Sequence, residues 1–314
     1  MREFLMWENE QVAVPAFRSI AIVEGTIHAP TIAPHLRKLY AQFEARFGTS
    51  ANETSYHFPG YKGKIRPATP RILNDGRAYL ARDGGTPYGE GLRRYGHALA
   101  DFPHPGLPFF GIEQRSDRFF LETAIPQDSP HWHGFAQEVS ATLMELPTIS
   151  GTMGMGRFLP PHKSSLRFLL SADPERHRAA FSTDADMVEP ALRRECSPHR
   201  WKAGEEAGIA DVGWRTFIGR EYWDRIDPAL AELARDPDIA IERSPHLLSI
   251  TAGERPIWGA PDETDALRPF RTVARALEPV RQPLSAARAF WFGGGATDDH
   301  DDLVAAYLAR LDPA

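Results

Sequence analysis

The sequence predicts an α+β protein, with a mixed and largely antiparallel sheet, or sheets, on which helices pack. Two observations carry this prediction. Short β-rich runs are followed by amphipathic runs with helical spacing, and the predicted strands are joined by tight turns as often as by helices. The order of strand and then helix occurs near residues 18–48, 115–146 and 211–236. No identity-level repeat is present, so a loose duplication of an α/β unit stays an open alternative.

The length of 314 residues allows one large domain with a substantial core. We interpret residues 1–314 as a single domain. A division into two subdomains near residues 126–150, where a hairpin gives way to a helix, is the alternative.

In the first half of the chain, segments with a clear helix or strand pattern alternate with segments that have none. We predict a strand within residues 18–28 and then a helix that ends before Gly48. Residues 51–77 read as irregular, residues 77–82 as a short strand, and the proline-rich residues 101–108 as a loop. A hairpin is predicted over 109–125, and a helix over 132–145 that Pro147 terminates.

The second half is clearest at residues 211–281. This stretch predicts a strand over 211–219, a helix over 220–236, a hairpin with arms 238–242 and 246–252, and a helix over 265–281. Before it, residues 149–159 alternate glycine with larger residues, which indicates a strand that another backbone or an aromatic ring approaches closely. Residues 162–210 show no clear pattern. A last helix is predicted over 299–311.

Composition restricts the classes of function. The formal net charge of −6 argues against a general nucleic-acid binder, which needs a basic face. The single cysteine, Cys196, cannot form an intrachain disulfide and suggests a reducing compartment. The N-terminus lacks the basic and apolar regions of a secretory signal, and no apolar run reaches the roughly 20 residues of a membrane-spanning helix. We therefore expect a cytoplasmic protein that binds neither nucleic acid nor membrane.

Catalytic and metal-binding patterns are weak in this sequence. His131 and His133 form an isolated His-x-His pair without the further ligands that a zinc site needs, and they read first as loop histidines. Cys196 has His199 three residues later but no surrounding oxyanion-hole signature. We expect no cofactor, no metal and no catalytic residue. A metal-assisted hydrolase that uses carboxylates with His131 and His133 is kept as an alternative function.

Acidic residues gather at a few points of the chain. We interpret these clusters, in order of preference, as solvent-exposed faces, as an acidic patch that binds a basic protein partner, or as a metal site. Tryptophan is enriched at binding hot spots, so Trp258 joins the second interpretation. The predicted partner-contact residues are Glu205, Glu206, Trp258, Asp298, Asp299, Asp301 and Asp302.

Several segments resemble a known family in order and approximate spacing. Gly213–Gly219 (Gly-Trp-Arg-Thr-Phe-Ile-Gly) resembles a recurrent Asn-Trp-Leu-Thr-Phe-Leu-Gly element. Leu247–Pro256 is similar to a strand that ends in Ala-Gly-x-x-Pro, and Phe270–Arg281 to a closing Tyr-Arg-x-Val-Ala-x-Ala-Leu-x-Pro-Leu-Arg. Ser150–Met155 is similar to a Ser-Gly-x-x-Gly segment that follows a helix.

The family that these segments resemble is the type VI immunity family, over about residues 119–281. The resemblance implies a bacterial cytoplasmic protein that binds and neutralises a cognate type VI secretion toxin, and it carries over no catalytic residue. Two departures stand out: Trp258–Asp262 replaces the family's Gly-Asp-Val-Asn, and residues 162–210 do not align. An acidic protein fits a toxin with a basic surface. A structural component of a secretion cluster is the third alternative, and the oligomeric state stays open.

Overall fold

The computed structural model describes residues 5–7, 10–99, 104–158, 177–181, 183, 208–281 and 300–312. The chain divides into two compact units. We call residues 16–149 with 243–247 the N-terminal unit, and residues 1–15, 150–242 and 248–314 the C-terminal unit. Whether the units are separate subdomains of the kind that the sequence suggests stays a prediction.

Eleven strands are described: β1 (Leu5–Trp7), β2 (Glu10–Glu24), β3 (Glu53–His57), β4 (Ile65–Pro67), β5 (Gly91–Leu99), β6 (His104–Arg115), β7 (Arg118–Pro126), β8 (Thr148–Phe158), β9 (Arg215–Gly219), β10 (Ile239–Arg243) and β11 (Leu247–Ala252). The described helices are α1 (Ala33–Phe47), α2 (Pro70–Leu80), α3 (Trp132–Glu145), α4 (Trp223–Leu233), α5 (Arg268–Ala276) and α6 (His300–Leu308). The predicted α+β class is confirmed.

The sheet of the N-terminal unit runs in the order β2-β7-β6-β5-β3-β4, and all five pairs of neighbouring strands are antiparallel. Apolar side chains of β2 and β7 are buried. The buried hydroxyl oxygens of Ser19 and Thr123, on these two strands, share a hydrogen bond of 2.7 Å. Arg18, which is 1% exposed, reaches Glu122 on β7 at 2.7 Å. Ser19, Thr123 and the Nη2 atom of Arg18 therefore find their hydrogen-bond partners across the strand pair.

Helix α1 packs through an aromatic cluster. The ring centroid of Phe43 lies 5.4 Å from that of Phe110 on β6 and 5.9 Å from that of Phe135 on α3. The buried guanidinium of Arg94 closes the carboxyl end of α1, because it donates to the carbonyl oxygens of Gly48 (3.0 Å) and Ala51 (2.5 Å). The carbonyl of Gly48, the residue that ends the helix, lacks a partner within it, so Arg94 supplies one hydrogen bond at the helix end and ties Ala51, beyond the helix, to the same guanidinium.

In the C-terminal unit the strand order is β10-β11-β9-β8, with β8 and β9 antiparallel, and β1 pairs with the first residues of β2. The expectation for residues 149–159 is confirmed. A Cβ added at Gly154 on β8 would lie 3.0 Å from the backbone nitrogen of Trp214, which is the close backbone approach that the glycine pattern indicates.

Three segment predictions are wrong. Residues 51–77 are not irregular, because they contain β3, β4 and most of α2. Residues 77–82 are not a strand: most of them belong to α2, which begins where Thr69 caps the backbone N–H of Ile72 and Pro70 takes the first helical position. Residues 104–108 are part of β6 and not of a loop. Most of 162–210 lies outside the described residues. No described helix is both long and apolar enough to cross a membrane.

Candidate partner-binding surface

The structure describes the side chains of two of the predicted contact residues, Trp258 and Asp302. Asp302 is exposed on α6, and Trp258 is half-buried in the loop after β11. The backbone of Asp301 also lies on α6. Glu205, Glu206, Asp298 and Asp299 lie outside the described residues. Contact with a partner stays a prediction for all of these residues.

The segment 177–179 holds Trp258 in place. The indole and the ring of His177 meet edge to face, with centroids 5.3 Å apart and planes at 70°. The carbonyl oxygen of Trp258 accepts the N–H of Ala179 at 3.0 Å, and the carbonyl oxygen of Gly259 accepts the N–H of Arg178 at 3.3 Å. The half-exposed indole therefore stands on a fixed backbone, which limits the entropy lost when a partner covers it.

Gly259 is required at this position. Its φ is +81°, and a Cβ there would lie 2.4 Å from the backbone nitrogen of Ala179. The left-handed conformation favours glycine, and the contact leaves no space for a methyl group. The close approach of the segment 177–179 to Trp258 therefore depends on the absence of a side chain at residue 259.

Acidic side chains follow Trp258 directly. Glu263 folds back, and its Oε2 accepts the N–H of Gly259 (2.8 Å) and the N–H of Ala260 (3.0 Å). Asp262 and Asp265 are exposed in the same turn. We call residues 257–265 the Trp258 loop. It combines one aromatic ring with two solvent-facing carboxylates, which suits a protein partner that presents basic groups.

A second set of acids near this loop is already neutralised. Arg268, the first residue of α5, donates to Asp236 at 2.5 Å and also to Asp238. The hydrogen bond from Arg268, helped by the backbone N–H of Asp238, lowers the pKa of Asp236. These carboxylates serve to hold the end of α4 against α5 and offer little charge to a partner.

Helix α4 carries an acidic face that sequence reasoning missed. Asp224, Asp227 and Glu232 are exposed, and within the described part of the chain none of them forms an ion pair. The apolar side of the helix, with Trp223 and Ile226, is buried. The helical spacing of the three acids opposite the buried face was the signal that could have identified them.

The two histidines of the hydrolase alternative lie on the surface at the start of α3. His131 is exposed at the N-terminal end of the helix, with its ring centroid 6.0 Å from that of Phe47, and exposed His133 lies against Trp132. Across the ranges that the structure describes, no group of three or more histidine, cysteine, aspartate or glutamate residues is arranged to hold a metal ion. The geometry of the described residues gives this alternative no support.

Comparison with known proteins defines the fold. No protein-family model matches the chain, and no curated protein matches it. Among solved structures, the chain is similar to "Pseudomonas aeruginosa T6SS protein PA0821", with a TM-score of 0.72 and 15% identity, over 96% of this chain and 84% of that chain. At this identity the likeness establishes a shared fold and leaves membership of the type VI immunity family as a prediction.

Proposed function

We propose that this protein is an immunity protein that binds a cognate type VI secretion toxin and neutralises it by covering the toxin's active site or substrate surface. One observation carries the proposal: 96% of the chain shares its fold with a protein described as a T6SS protein. The motif resemblance over residues 119–281 supports the same assignment. In this function the protein acts by binding and performs no chemistry of its own.

The distribution of charge supports a basic partner. The C-terminal unit contains 21 lysine and arginine residues against 29 aspartate and glutamate residues, a net charge of −8. The N-terminal unit contains 15 against 13, a net charge of +2. The negative charge of the protein thus belongs to the unit that carries the Trp258 loop and α4. Complementary charge accelerates encounter and orients the partner.

We place the toxin contact on the C-terminal unit, centred on the Trp258 loop. Trp258 supplies the apolar anchor, and Asp262 and Asp265 supply charge at its edge. This extends the earlier prediction, in which the sequence-defined acids Glu205, Glu206, Asp298, Asp299, Asp301 and Asp302 join Trp258. The compartment that suits this function is the cytoplasm, where the toxin meets its immunity protein before export.

The direct experiment is co-expression with the toxin encoded by the adjacent gene. The full-length protein should protect cells from that toxin and should co-purify with it as a 1:1 complex in size-exclusion chromatography with light scattering. A catalytically inactivated toxin allows the same complex to be measured by calorimetry. Stable self-assembly without toxin binding would instead favour a structural component, and failure to bind or protect would refute the proposal.

A further inference from the structure

The N-terminal unit contains a cleft that the proposed immunity function does not use. Its volume is about 590 Å³, and it lies among the segment 58–61, β4 and α2. Its base is aromatic: the rings of Phe58 and Tyr79 stack with centroids 4.3 Å apart and planes at 7°, and Tyr61 meets Phe58 edge to face at 5.0 Å. This volume falls within the range of small-molecule sites, which is about 300–1,000 Å³.

Three arginines line this cleft: Arg66 on β4, Arg71 in the first turn of α2, and Arg82 just after the end of α2. All three are exposed, and within the described part of the chain none of them forms an ion pair. Arg66 lies over the Tyr61 ring at 5.4 Å and Arg82 over the Tyr79 ring at 5.7 Å. Guanidinium groups held on aromatic faces keep their hydrogen-bond donors available for a ligand.

The single carboxylate that lines the cleft, Asp75, is hydrogen-bonded to a tyrosine of the cleft and not to an arginine. Asp75 accepts a hydrogen bond of 2.5 Å from the hydroxyl of Tyr61, and it makes no ion pair with an arginine in the described chain. The lining residues therefore carry three positive charges against one negative charge, a net charge of +2. Exposed Lys62 and Lys64, which precede β4, add to the positive potential around it.

One further feature favours an anion. Thr69 and Arg71 line the cleft at the N-terminus of α2, an eleven-residue helix whose positive end adds to the arginine charges.

We propose that this cleft is a binding site for a small phosphate-bearing molecule. An arginine guanidinium can donate two parallel hydrogen bonds to two oxygens of one phosphate group. Three guanidiniums and a helix N-terminus match the three oxygens and the double negative charge of a phosphate ligand better than they match a ligand with one carboxylate. The volume of about 590 Å³ is that of a small-molecule site, so we expect a small ligand. This site is independent of toxin binding by the C-terminal unit.

Isothermal titration of the full-length protein at low ionic strength tests the proposal, with pyrophosphate, AMP and citrate as probes. We expect at least one phosphate probe to bind with a Kd below about 1 mM, and more tightly than citrate. Arg71→Gln and Arg66→Gln should each weaken that binding by roughly tenfold. Both side chains are exposed, so the variants should keep the wild-type circular dichroism and melting temperature.

The matched control is Arg37→Gln, which removes an exposed arginine of α1 that does not line the cleft. It should leave the affinity for the phosphate probe unchanged. The proposal is overturned if neither phosphate probe binds, if only citrate binds, or if Arg37→Gln weakens binding as much as Arg71→Gln. It is also overturned if Arg71→Gln abolishes toxin binding while no probe binds, because the cleft would then be a protein-docking surface.

Discussion

The Nη2 atom of Arg310 lies 2.6 Å from the Oδ1 atom of Asp211, and both side chains are 2% exposed. Tyr307 donates its hydroxyl to the other carboxylate oxygen at 2.5 Å, and Arg310 Nε donates to the carbonyl oxygen of Ala180 at 3.2 Å. Burial alone would lower the pKa of Arg310, but Asp211 and Tyr307 raise it above its usual value. The guanidinium of Arg310 therefore stays charged, and its contacts fix the C-terminal segment to the residues that precede β9.

We predict that Asp211→Asn destabilises the protein by about 3–5 kcal/mol, because the buried guanidinium of Arg310 loses its counter-charge. Urea denaturation followed by circular dichroism measures the free energy of unfolding. The matched control is Asp302→Asn, an exposed acid of α6, with an expected change within about 0.5 kcal/mol. A loss below about 1 kcal/mol for Asp211→Asn would show that the pair is not needed for stability.

We predict that the protein loses stability as the pH falls below about 6.5, and that His28 causes part of this loss. Burial and, secondly, the nearby Arg82 lower the pKa of His28. Its Nδ1 lies 3.1 Å from the hydroxyl oxygen of Thr86, and its Nε2 has no partner in the described chain. Below pH 6.5 the unfolded state binds a proton that the folded state does not, so stability falls by up to about 1.4 kcal/mol per pH unit.

Urea titrations at pH 7.5 and 5.5 test this dependence. His28→Asn should lose less stability between the two pH values than the wild type, even if it is less stable at both. His57, whose pKa is also lowered by burial and by Arg93, should leave some dependence in that variant. The exposed His246 provides the control substitution, His246→Asn. Equal pH dependence in His28→Asn and the wild type would contradict the assignment.

Gly259→Ala should destabilise the protein more than Gly84→Ala does. Both glycines have positive φ, +81° and +112°, so both substitutions carry a backbone cost of about 1 kcal/mol. Gly84 has open space around its missing Cβ, whereas a Cβ at Gly259 would collide with the backbone at Ala179. The melting temperature of both variants measures the difference. Equal shifts would mean that the segment 177–179 does not hold the Trp258 loop.

Variants of the Trp258 loop should weaken toxin binding without unfolding the protein. We expect Trp258→Ala to cost about 2 kcal/mol or more in binding free energy, as a central aromatic anchor does. The double variant with Asp262→Asn and Asp265→Asn should mainly slow association and reduce its dependence on salt. Surface plasmon resonance at two salt concentrations separates these effects.

The control for the loop variants is Asp83→Asn, which removes an exposed acid from the N-terminal unit. It should leave both the affinity and the association rate close to those of the wild type. If it slows association as much as the double variant of Asp262 and Asp265, net charge alone governs the encounter and the Trp258 loop has no special role.

Elements with strong local patterns were predicted closely. The helix over 132–145 and the hairpin around residues 116–117 agree with α3 and with β6 and β7. Their signals are local, since apolar spacing, a terminating proline and a turn lie within each segment. The stretch 211–281 also kept its predicted order of strand, helix, hairpin and helix.

The errors arose where distant residues decide the structure. Helix α2 has a Gly76 in its interior, which weakens a local helix prediction. Gly76 is buried in the structure, and a Cβ there would lie 2.5 Å from the Tyr56 hydroxyl of β3. Similarly, the prolines at 105 and 108 favoured a loop, but pairing of His104 and Gly106 with β5 makes this segment a strand.

The sites were less predictable than the fold for the same reason. Trp258 was predicted from its residue type. The structure shows that its side chain is half-buried and packs against His177. Its contact with a partner protein stays a prediction. The cleft was missed because Arg66 on β4 meets Arg71 and Arg82, at the two ends of α2, only through the fold of the N-terminal unit. Helix α2 itself, which places Arg71 and Arg82, was also not predicted from the sequence.

The central claim is that this chain neutralises a type VI toxin by direct binding. Calorimetric titration of the full-length protein with the inactivated toxin from the adjacent gene, paired with a growth assay on the active toxin, tests it most directly. We predict a 1:1 complex with a nanomolar Kd, and loss of both binding and protection in Trp258→Ala. Protection without binding, or binding that leaves the toxin active, would contradict the claim.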